Sequence, residues 1–133
     1  MKLNRTTRYA LYAAMDMAST PDEQVTVGRV AERYRIPEGA LAKVFQQLVR
    51  SGIALGTRGV GGGYRLARPR RKITVQEVIS AFEPPRPAGS CLLERAEEPC
   101  TVPTACRLGS LFDEVDELVR CTFESVTLDT LVR

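Results

Sequence analysis

The segment that most constrains the fold spans residues 26–67 and reads TVGRVAERYRIPEGALAKVFQQLVRSGIALGTRGVGGGYRLA. Thr26 is a good N-cap for a short helix over VGRVAERY, and Pro37 suits the start of a second helix that ends at Gly52. The second helix carries an apolar stripe at helical spacing, made of Leu41, Val44, Phe45, Leu48 and Val49. Two short helices joined by a few residues predict a helix-turn-helix.

A glycine-rich hairpin is predicted directly after the second helix. IALGT is a short strand, RGVGGG is a turn in which glycine permits unusual backbone angles, and YRLA is the returning strand. We expect Tyr64 to anchor this hairpin by packing rather than to contact a ligand. A hairpin in this position is a β-wing, so the fold class predicted is mainly α with a small β-wing.

The flanking segments complete one winged helix-turn-helix domain over residues 1–82. Thr6 or Thr7 is expected to cap a first helix through YALYAAMDMA, and Thr74 and Glu77 form a capping box before VQEVISAF. Arg8 and Asp16 interrupt the N-terminal apolar run, which predicts a helix of the mature fold rather than a signal peptide. No stretch approaches the roughly 20 apolar residues of a membrane span, so we expect a cytoplasmic protein without a membrane partner.

Charge is divided unequally along the chain. The formal net charge is +3, yet residues 1–72 carry 14 Lys or Arg against 5 Asp or Glu, whereas residues 73–133 carry 5 against 11. A strongly basic winged domain predicts a polyanionic partner, of which double-stranded DNA is the commonest. Catalysis is not expected, because the chain has no histidine, no paired-carboxylate motif and no nucleotide-binding loop.

Residues 83–106 are predicted to form a Pro-rich linker and a cysteine-bearing loop, and residues 107–133 a dimerisation helix and tail. From about residue 106 to residue 126 the chain has one continuous apolar face. A long amphipathic helix after a winged domain predicts a homodimer that binds a palindromic operator. The face consists of Leu108, Leu111, Phe112, Val115, Leu118, Val119, Thr122 and Val126.

The loop contains Cys91, Cys100 and Cys106, and a fourth cysteine follows at position 121. The wide spacing argues against a zinc ribbon, whose ligands come in close pairs. Thiols on such a loop can hold an iron–sulfur cluster, which normally takes four protein ligands, or can act as a thiol switch without iron. Cys121 lies roughly 22 Å along a continuous helix from Cys106, too far to share one cluster within the chain.

The recognition helix and the wing supply the candidate DNA contacts. Residues of the first turn of the second helix should lie nearest the bases, with Lys43, Gln46 and Gln47 as direct readers one turn and more beyond. Arg58, followed by Gly59, suits insertion into a narrow minor groove. Contacts with phosphates are expected for five basic residues in and after the wing, which are Arg65, Arg68, Arg70, Arg71 and Lys72. The residues of the first turn, which should lie nearest the bases, are Glu38, Gly39 and Ala40.

The segments KLNRTTRYALYAAMDMA, IPEGALAKVFQQLVRSGI, TRGVGGGYRLAR and ITVQEVISAFE, together with the three-cysteine loop, resemble the Rrf2 family of winged helix-turn-helix regulators. The resemblance covers nearly the whole chain and extends to the cysteine-bearing branch that includes IscR, NsrR and RirA. It implies a homodimeric transcription factor, often a repressor, whose cysteines hold an iron–sulfur cluster of two or four irons that controls DNA binding. The alternative is a winged-helix regulator with a thiol or disulfide switch and no cluster.

The departures from the family concern the fourth cluster ligand. IscR-like members have a histidine three residues after the third cysteine, where this chain has Gly109, and NsrR-like members have a carboxylate where this chain has Arg8. RirA-like members, with three cysteines, are the most similar. Asp113, Glu114, Asp16, an exogenous thiol or a water molecule could complete the set. An incompletely cysteinyl cluster predicts sensing of iron status, nitric oxide or redox stress through cluster damage.

Overall fold

The computed structural model describes residues 3–85 and 106–133. These residues form a mainly α-helical protein with one two-stranded antiparallel sheet, so the predicted fold class is confirmed. A 3-10 turn at Arg70–Lys72 follows the sheet. In chain order the elements are α1 (Arg5–Ser19), α2 (Val27–Tyr34), α3 (Glu38–Arg50), β1 (Ala54–Thr57), β2 (Gly63–Leu66), α4 (Val75–Ser80), α5 (Arg107–Glu124) and α6 (Leu128–Val132).

Two helix starts lie where the sequence predicts them. Thr26 accepts a hydrogen bond from the amide of Arg29, and the capping box of Thr74 and Glu77 is complete in both directions. The prediction for α1 was wrong: its N-cap is Asn4, whose side-chain oxygen accepts from the amide of Thr7 at 2.8 Å. Thr7 lies inside the first turn instead, where its hydroxyl donates to the same oxygen at 2.9 Å.

The core lies between α1 and α3. From α1 come small side chains, Ala10, Ala13 and Ala14, which let the two helices approach closely, and the longer Met17. The predicted stripe of α3 is buried against them, except that Val49 at its edge is 37% exposed. The buried members are Leu41, Val44, Phe45 and Leu48.

One charged side chain is buried within this core. Asp16 is 1% exposed and lies between two arginines of α2, with Oδ1 2.6 Å from Arg33 Nη1 and Oδ2 3.4 Å from Arg29 Nε. A buried carboxylate is tolerated when cations compensate it, so these pairs fasten α1 to α2.

The wing is attached to the helices through Tyr64. Its ring stacks on the buried ring of Phe45 with centroids 4.6 Å apart and an interplanar angle of 25°. The backbone of Tyr64 also exchanges two hydrogen bonds of 2.8 Å with Val25, the residue before the cap of α2. The structure therefore agrees with the packing role predicted for this tyrosine.

The end of the chain returns to the N-terminal core. Cys106 is the N-cap of α5, which ends at Glu124, and a separate helix, α6, then begins at Leu128. The Leu128 side chain is fully buried, and its amide donates to the carbonyl of Ile73 at 2.9 Å. The C-terminal tail, which was predicted as one unit with the dimerisation helix, therefore forms α6 and packs on the winged domain. No helix in the described ranges is long and apolar enough to cross a membrane.

Candidate DNA interface and cysteine site

The exposed side of α3 carries a row of four residues that are not apolar. Gly39, Lys43, Gln46 and Arg50 follow one another at intervals of four, three and four residues and are all exposed. Because the opposite side of α3 is buried in the core, this row is the surface that the helix can offer to a major groove. Glu38 and Ala40 are exposed beside it, in the first turn.

A groove of about 390 Å³ separates α3 from the wing. It brings Gln46 of the recognition helix together with Arg58 of the wing, two predicted DNA contacts that are distant in sequence. Arg50 and Thr57 also line this groove, and sequence reasoning missed both. The signal for Arg50 was available, since it lies one helical turn after Gln46.

The wing turn is built so closely that glycine is required within it. A Cβ atom on Gly62 would lie 2.3 Å from the carbonyl oxygen of Thr57 and 2.8 Å from that of Gly59. A Cβ on Gly63, whose φ is +151°, would lie 2.8 Å from the carbonyl oxygen of Val25. These contacts are with backbone, so the turn that presents exposed Arg58 and Gly59 depends on the glycines.

Not every predicted reader points outwards. Gln47 is half-buried and its Nε2 donates to the carbonyl of Ala81, at the end of α4, at 3.1 Å. Its neighbour Gln46 is exposed. Arg65 is exposed on β2, opposite Leu55 in the sheet register. The recognition surface described by these contacts therefore centres on Gln46 rather than on the pair.

The basic segment after the wing differs from the prediction. Arg68 forms an ion pair with Glu77 of α4. Arg70 Nε lies 2.7 Å from Asp129 Oδ1 of α6, and its Nη1 donates to the carbonyl of Ala18 at 3.0 Å. These two arginines were expected on phosphates; in the folded chain they connect its elements, and their contact with DNA stays a prediction. Arg71 and Lys72 are exposed and form no ion pair with the described residues.

The neighbours Arg70 and Arg71 provide a matched test of this difference. We expect Arg70→Gln to lower the melting temperature by a few degrees, because it releases α6 from α1, with little change in the salt dependence of DNA binding. We expect Arg71→Gln to leave the melting temperature unchanged. It should reduce the slope of log affinity against log salt concentration by about 1, because the variant loses one phosphate contact. Differential scanning calorimetry and DNA titrations at several salt concentrations measure both. Equal salt slopes in the two variants would contradict the assignment.

Asp129 makes the attachment of α6 dependent on pH. Hydrogen bonds from Arg133 and then Arg70 hold the pKa of Asp129 below its ordinary value. A carboxyl group whose folded pKa is depressed stabilises the fold above its unfolded pKa, about 3.9, and loses this contribution as pH falls through the folded value. We therefore expect Asp129→Asn to be less stable than the parent chain at pH 6, with the difference shrinking as the pH falls below about 4. Thermal melts across this range measure it, and a difference that persists at low pH would contradict it.

Of the predicted cysteine ligands, Cys91 and Cys100 lie outside the described residues. Cys106 is half-buried at the N-terminus of α5, where its Sγ accepts a hydrogen bond from the amide of Gly109 at 3.3 Å. Cys121 is exposed and its Sγ donates to a carboxylate oxygen of Glu117 at 3.6 Å. Within residues 3–85 and 106–133 no three acidic or cysteine side chains are grouped as a metal site.

The carboxylates proposed as a fourth ligand have different surroundings. Asp113 is half-buried and Glu114 exposed on α5, about 10 Å and 12 Å along the helix axis from Cys106. Asp16 is paired with Arg29 and Arg33, and these cations compensate its buried charge.

Comparison with known proteins agrees with this architecture. Residues 3–133 match the family model described as Rrf2, iron-dependent transcriptional regulator. The HTH-type transcriptional regulator BadM of Rhodopseudomonas palustris is 35% identical over 133 residues, which cover 100% of this chain and 82% of the relative. T. potens IscR superposes with a TM-score of 0.78 at 26% identity, over 99% of this chain and 86% of that one. CymR, the global cysteine regulator of B. subtilis, has the same fold, with a TM-score of 0.80 at 22% identity over 99% and 96% of the two chains. The chain belongs to the Rrf2 family of winged-helix transcriptional regulators.

Proposed function

We propose that this chain is a homodimeric transcriptional regulator, most simply a repressor, whose affinity for a palindromic operator is controlled by an iron–sulfur cluster bound to Cys91, Cys100 and Cys106. The observation that carries the proposal is the position of Cys106. It caps the helix α5 whose far end is hydrogen-bonded to the winged domain. The regulator would act in the cytoplasm, in contact with DNA.

The interface with DNA is supported by charge and shape. Lys43, Gln46 and Arg50 are exposed on one side of α3. Gln46 and Arg50 line the groove beside the wing, which Arg58 also lines. Polar side chains on a recognition helix suit the donor and acceptor pattern of the major groove, and a wing arginine suits the negative potential of a narrow minor groove. We assign base reading to α3 and shape reading to the wing.

Dimerisation is supported by the apolar side of α5, which the described part of the chain leaves uncovered. Leu108 is 61% exposed, Leu118 is 68% exposed, and three further apolar side chains between them are at least 43% exposed. A row of this length on one helix is costly in water and is typical of a surface that pairs with a second copy. Two copies would place two α3 helices on successive half-sites. The three exposed apolar side chains between Leu108 and Leu118 are Leu111, Phe112 and Val115.

The donor set fits an iron–sulfur cluster as far as it is described. Cysteine sulfurs are the usual ligands of such clusters, and hydrogen bonds from backbone amides to those sulfurs tune them, as the amide of Gly109 does for Cys106. The cluster would supply iron that reacts with nitric oxide or oxidants. Asp113 and Glu114 follow Cys106 on the same helix and stay candidates for a fourth ligand.

Coupling between the cysteines and the wing is supported by the two ends of α5. The helix has 18 residues, so it is a rod of about 27 Å. Just beyond its C-terminal end, Val126 accepts a hydrogen bond from the amide of Val75 at 2.8 Å, and Thr127 pairs with Thr74. A displacement at Cys106 would therefore reach the segment that follows the wing.

The first experiment is anaerobic purification followed by measurement of iron, acid-labile sulfide and operator affinity in the same sample. We expect about two or four irons with matching sulfide per chain. We also expect affinity to change when nitric oxide or a chelator removes the cluster. A variant with serine at positions 91, 100 and 106 should lose the iron and the response.

The matched control is Cys121→Ser, which alters a cysteine of the same chain outside the loop. It should retain iron, sulfide and the response to nitric oxide. If the parent chain binds no iron after anaerobic reconstitution, the cluster proposal fails. A DNA affinity that then changes reversibly with oxidant and reductant would favour the thiol switch.

A further inference from the structure

A second cavity lies on the N-terminal half of α1 and the turn between α2 and α3. It has a volume of about 540 Å³, within the range of small-molecule sites, and its wall combines cations with aromatic rings. It shares no lining residue with the groove between α3 and the wing. We name it the tyrosine–arginine cup, after Arg5, Arg8, Arg35, Tyr9, Tyr12 and Tyr34.

The three guanidinium groups of the cup are not neutralised by the described residues. Arg5, Arg8 and Arg35 are all exposed, and none forms an ion pair there, in contrast to Arg29 and Arg33 nearby. Three like charges around one cavity repel one another unless an anion joins them. Because guanidinium forks match phosphate geometry, a group with more than one negative charge fits this arrangement.

Arg35 is held in a backbone conformation that arginine seldom adopts. Its φ is 54° and its ψ 45°, and it is the single non-glycine residue with positive φ in the described ranges. Glycine is the usual residue where a helix ends in this conformation and in the turn of a helix-turn-helix. An arginine at this position therefore accepts backbone strain to place a cation at the cup, and such strain is concentrated at binding sites.

The aromatic side of the cup is formed by two tyrosine rings that contact each other. The rings of Tyr12 and Tyr34 are 4.9 Å apart, tilted by 37°, and the guanidinium of Arg33 lies 5.7 Å from the centre of the Tyr34 ring. Burial and then the adjacent Asp16 carboxylate raise the pKa of Tyr34 above its ordinary value. Tyr12 is 46% exposed, which leaves ring surface for another planar group to stack on.

We propose that the tyrosine–arginine cup binds a nucleoside phosphate, with the base against the tyrosine rings and the phosphate between the arginines. The rings select for a planar heterocycle and the three cations select for a multiply charged anion, so neither part of the ligand alone satisfies the cup. The site is independent of the iron–sulfur cluster. It gives the regulator a place where a soluble metabolite binds without occupying the groove between α3 and the wing.

The test is isothermal titration of the purified protein with AMP, adenosine, ribose 5-phosphate and inorganic phosphate. We expect AMP to bind with a Kd below about 1 mM and the other three compounds to bind at least about tenfold more weakly. Arg35→Gly removes one cation and restores the residue that the backbone favours. We expect this variant to melt at or above the parent temperature and to lose about tenfold or more in AMP affinity.

Arg71→Gln is the matched control, because it removes an exposed arginine outside the cup. It should bind AMP like the parent chain. The proposal is overturned if AMP does not bind, if adenosine or inorganic phosphate binds as tightly as AMP, or if the Arg35 and Arg71 variants lose affinity equally. It is also overturned if Arg35→Gly weakens only DNA binding, which would identify the cup as a contact for the DNA backbone.

Discussion

Replacing Phe45 with alanine should lower the free energy of unfolding by about 3–5 kcal/mol, because Phe45 is the largest of the fully buried side chains and its removal leaves a cavity that the core cannot fill. This is a large part of the stability of an ordinary domain, about 5–15 kcal/mol. Urea unfolding followed by far-ultraviolet circular dichroism measures the loss.

The same substitution should also weaken DNA binding in the molecules that remain folded. The Phe45 ring supports Tyr64, and Tyr64 connects β2 to the segment before α2. Without this support the wing is no longer held at a fixed angle to α3. Fluorescence anisotropy with labelled DNA at low temperature, where the variant is folded, measures this effect.

Phe112→Ala is the matched control, since it makes the same chemical change at a position on α5 that is 43% exposed. We expect it to change the unfolding free energy of the monomer by about 1 kcal/mol or less and to weaken self-association instead. Equal destabilisation by both substitutions would mean that Phe45 has no special role in the core.

Gly62→Ala should reduce DNA affinity by about 10-fold to 100-fold while leaving most of the helical core intact. The added methyl group would overlap the backbone carbonyls of Thr57 and Gly59, so the turn must open and Arg58 is displaced. Loss of the charged Arg58 contact in the minor groove costs about 1.5–3 kcal/mol, which corresponds to a change in affinity of this order. Anisotropy titrations at constant salt measure it, and circular dichroism checks the helices.

Gly28→Ala provides the comparison for this variant. Gly28 lies in α2, and its nearest neighbour to an added Cβ would be a Glu38 carboxylate oxygen at an ordinary 3.9 Å. Alanine favours helix over glycine, so stability should be retained or slightly increased. If Gly62→Ala binds DNA as tightly as Gly28→Ala, the wing turn does not position a DNA contact.

Local features of the chain could be predicted because their causes lie within a few residues. The caps at Thr26 and Thr74 follow from side-chain oxygens that reach an amide three residues ahead, and the stripe of α3 follows from helical spacing. The start of α1 was misplaced because Asn4, Thr6 and Thr7 are all acceptable caps. Only the packed structure selects among them, through the burial of Thr7.

Contacts between distant residues could not be predicted from spacing. Arg70 and Asp129 are 59 residues apart, and nothing in either segment indicates the other. The short helix α6 has five residues, too few to show a periodic pattern. The same reason explains why Arg68 and Arg70 were assigned to phosphates: a run of basic residues does not reveal which of them the fold neutralises.

The sequence by itself therefore determined the winged helix-turn-helix, the recognition helix and the glycine turn of the wing, since each depends on hydrogen bonds and periodicities local to the chain. The tertiary structure decided which cations stay available to a partner. It brought Gln46 to Arg58, turned Gln47 towards α4, paired Arg70 with Asp129 and left Arg35 without an ion pair among the described residues. Electrostatic pairing depends on distances in space, and these exist only once the helices have packed.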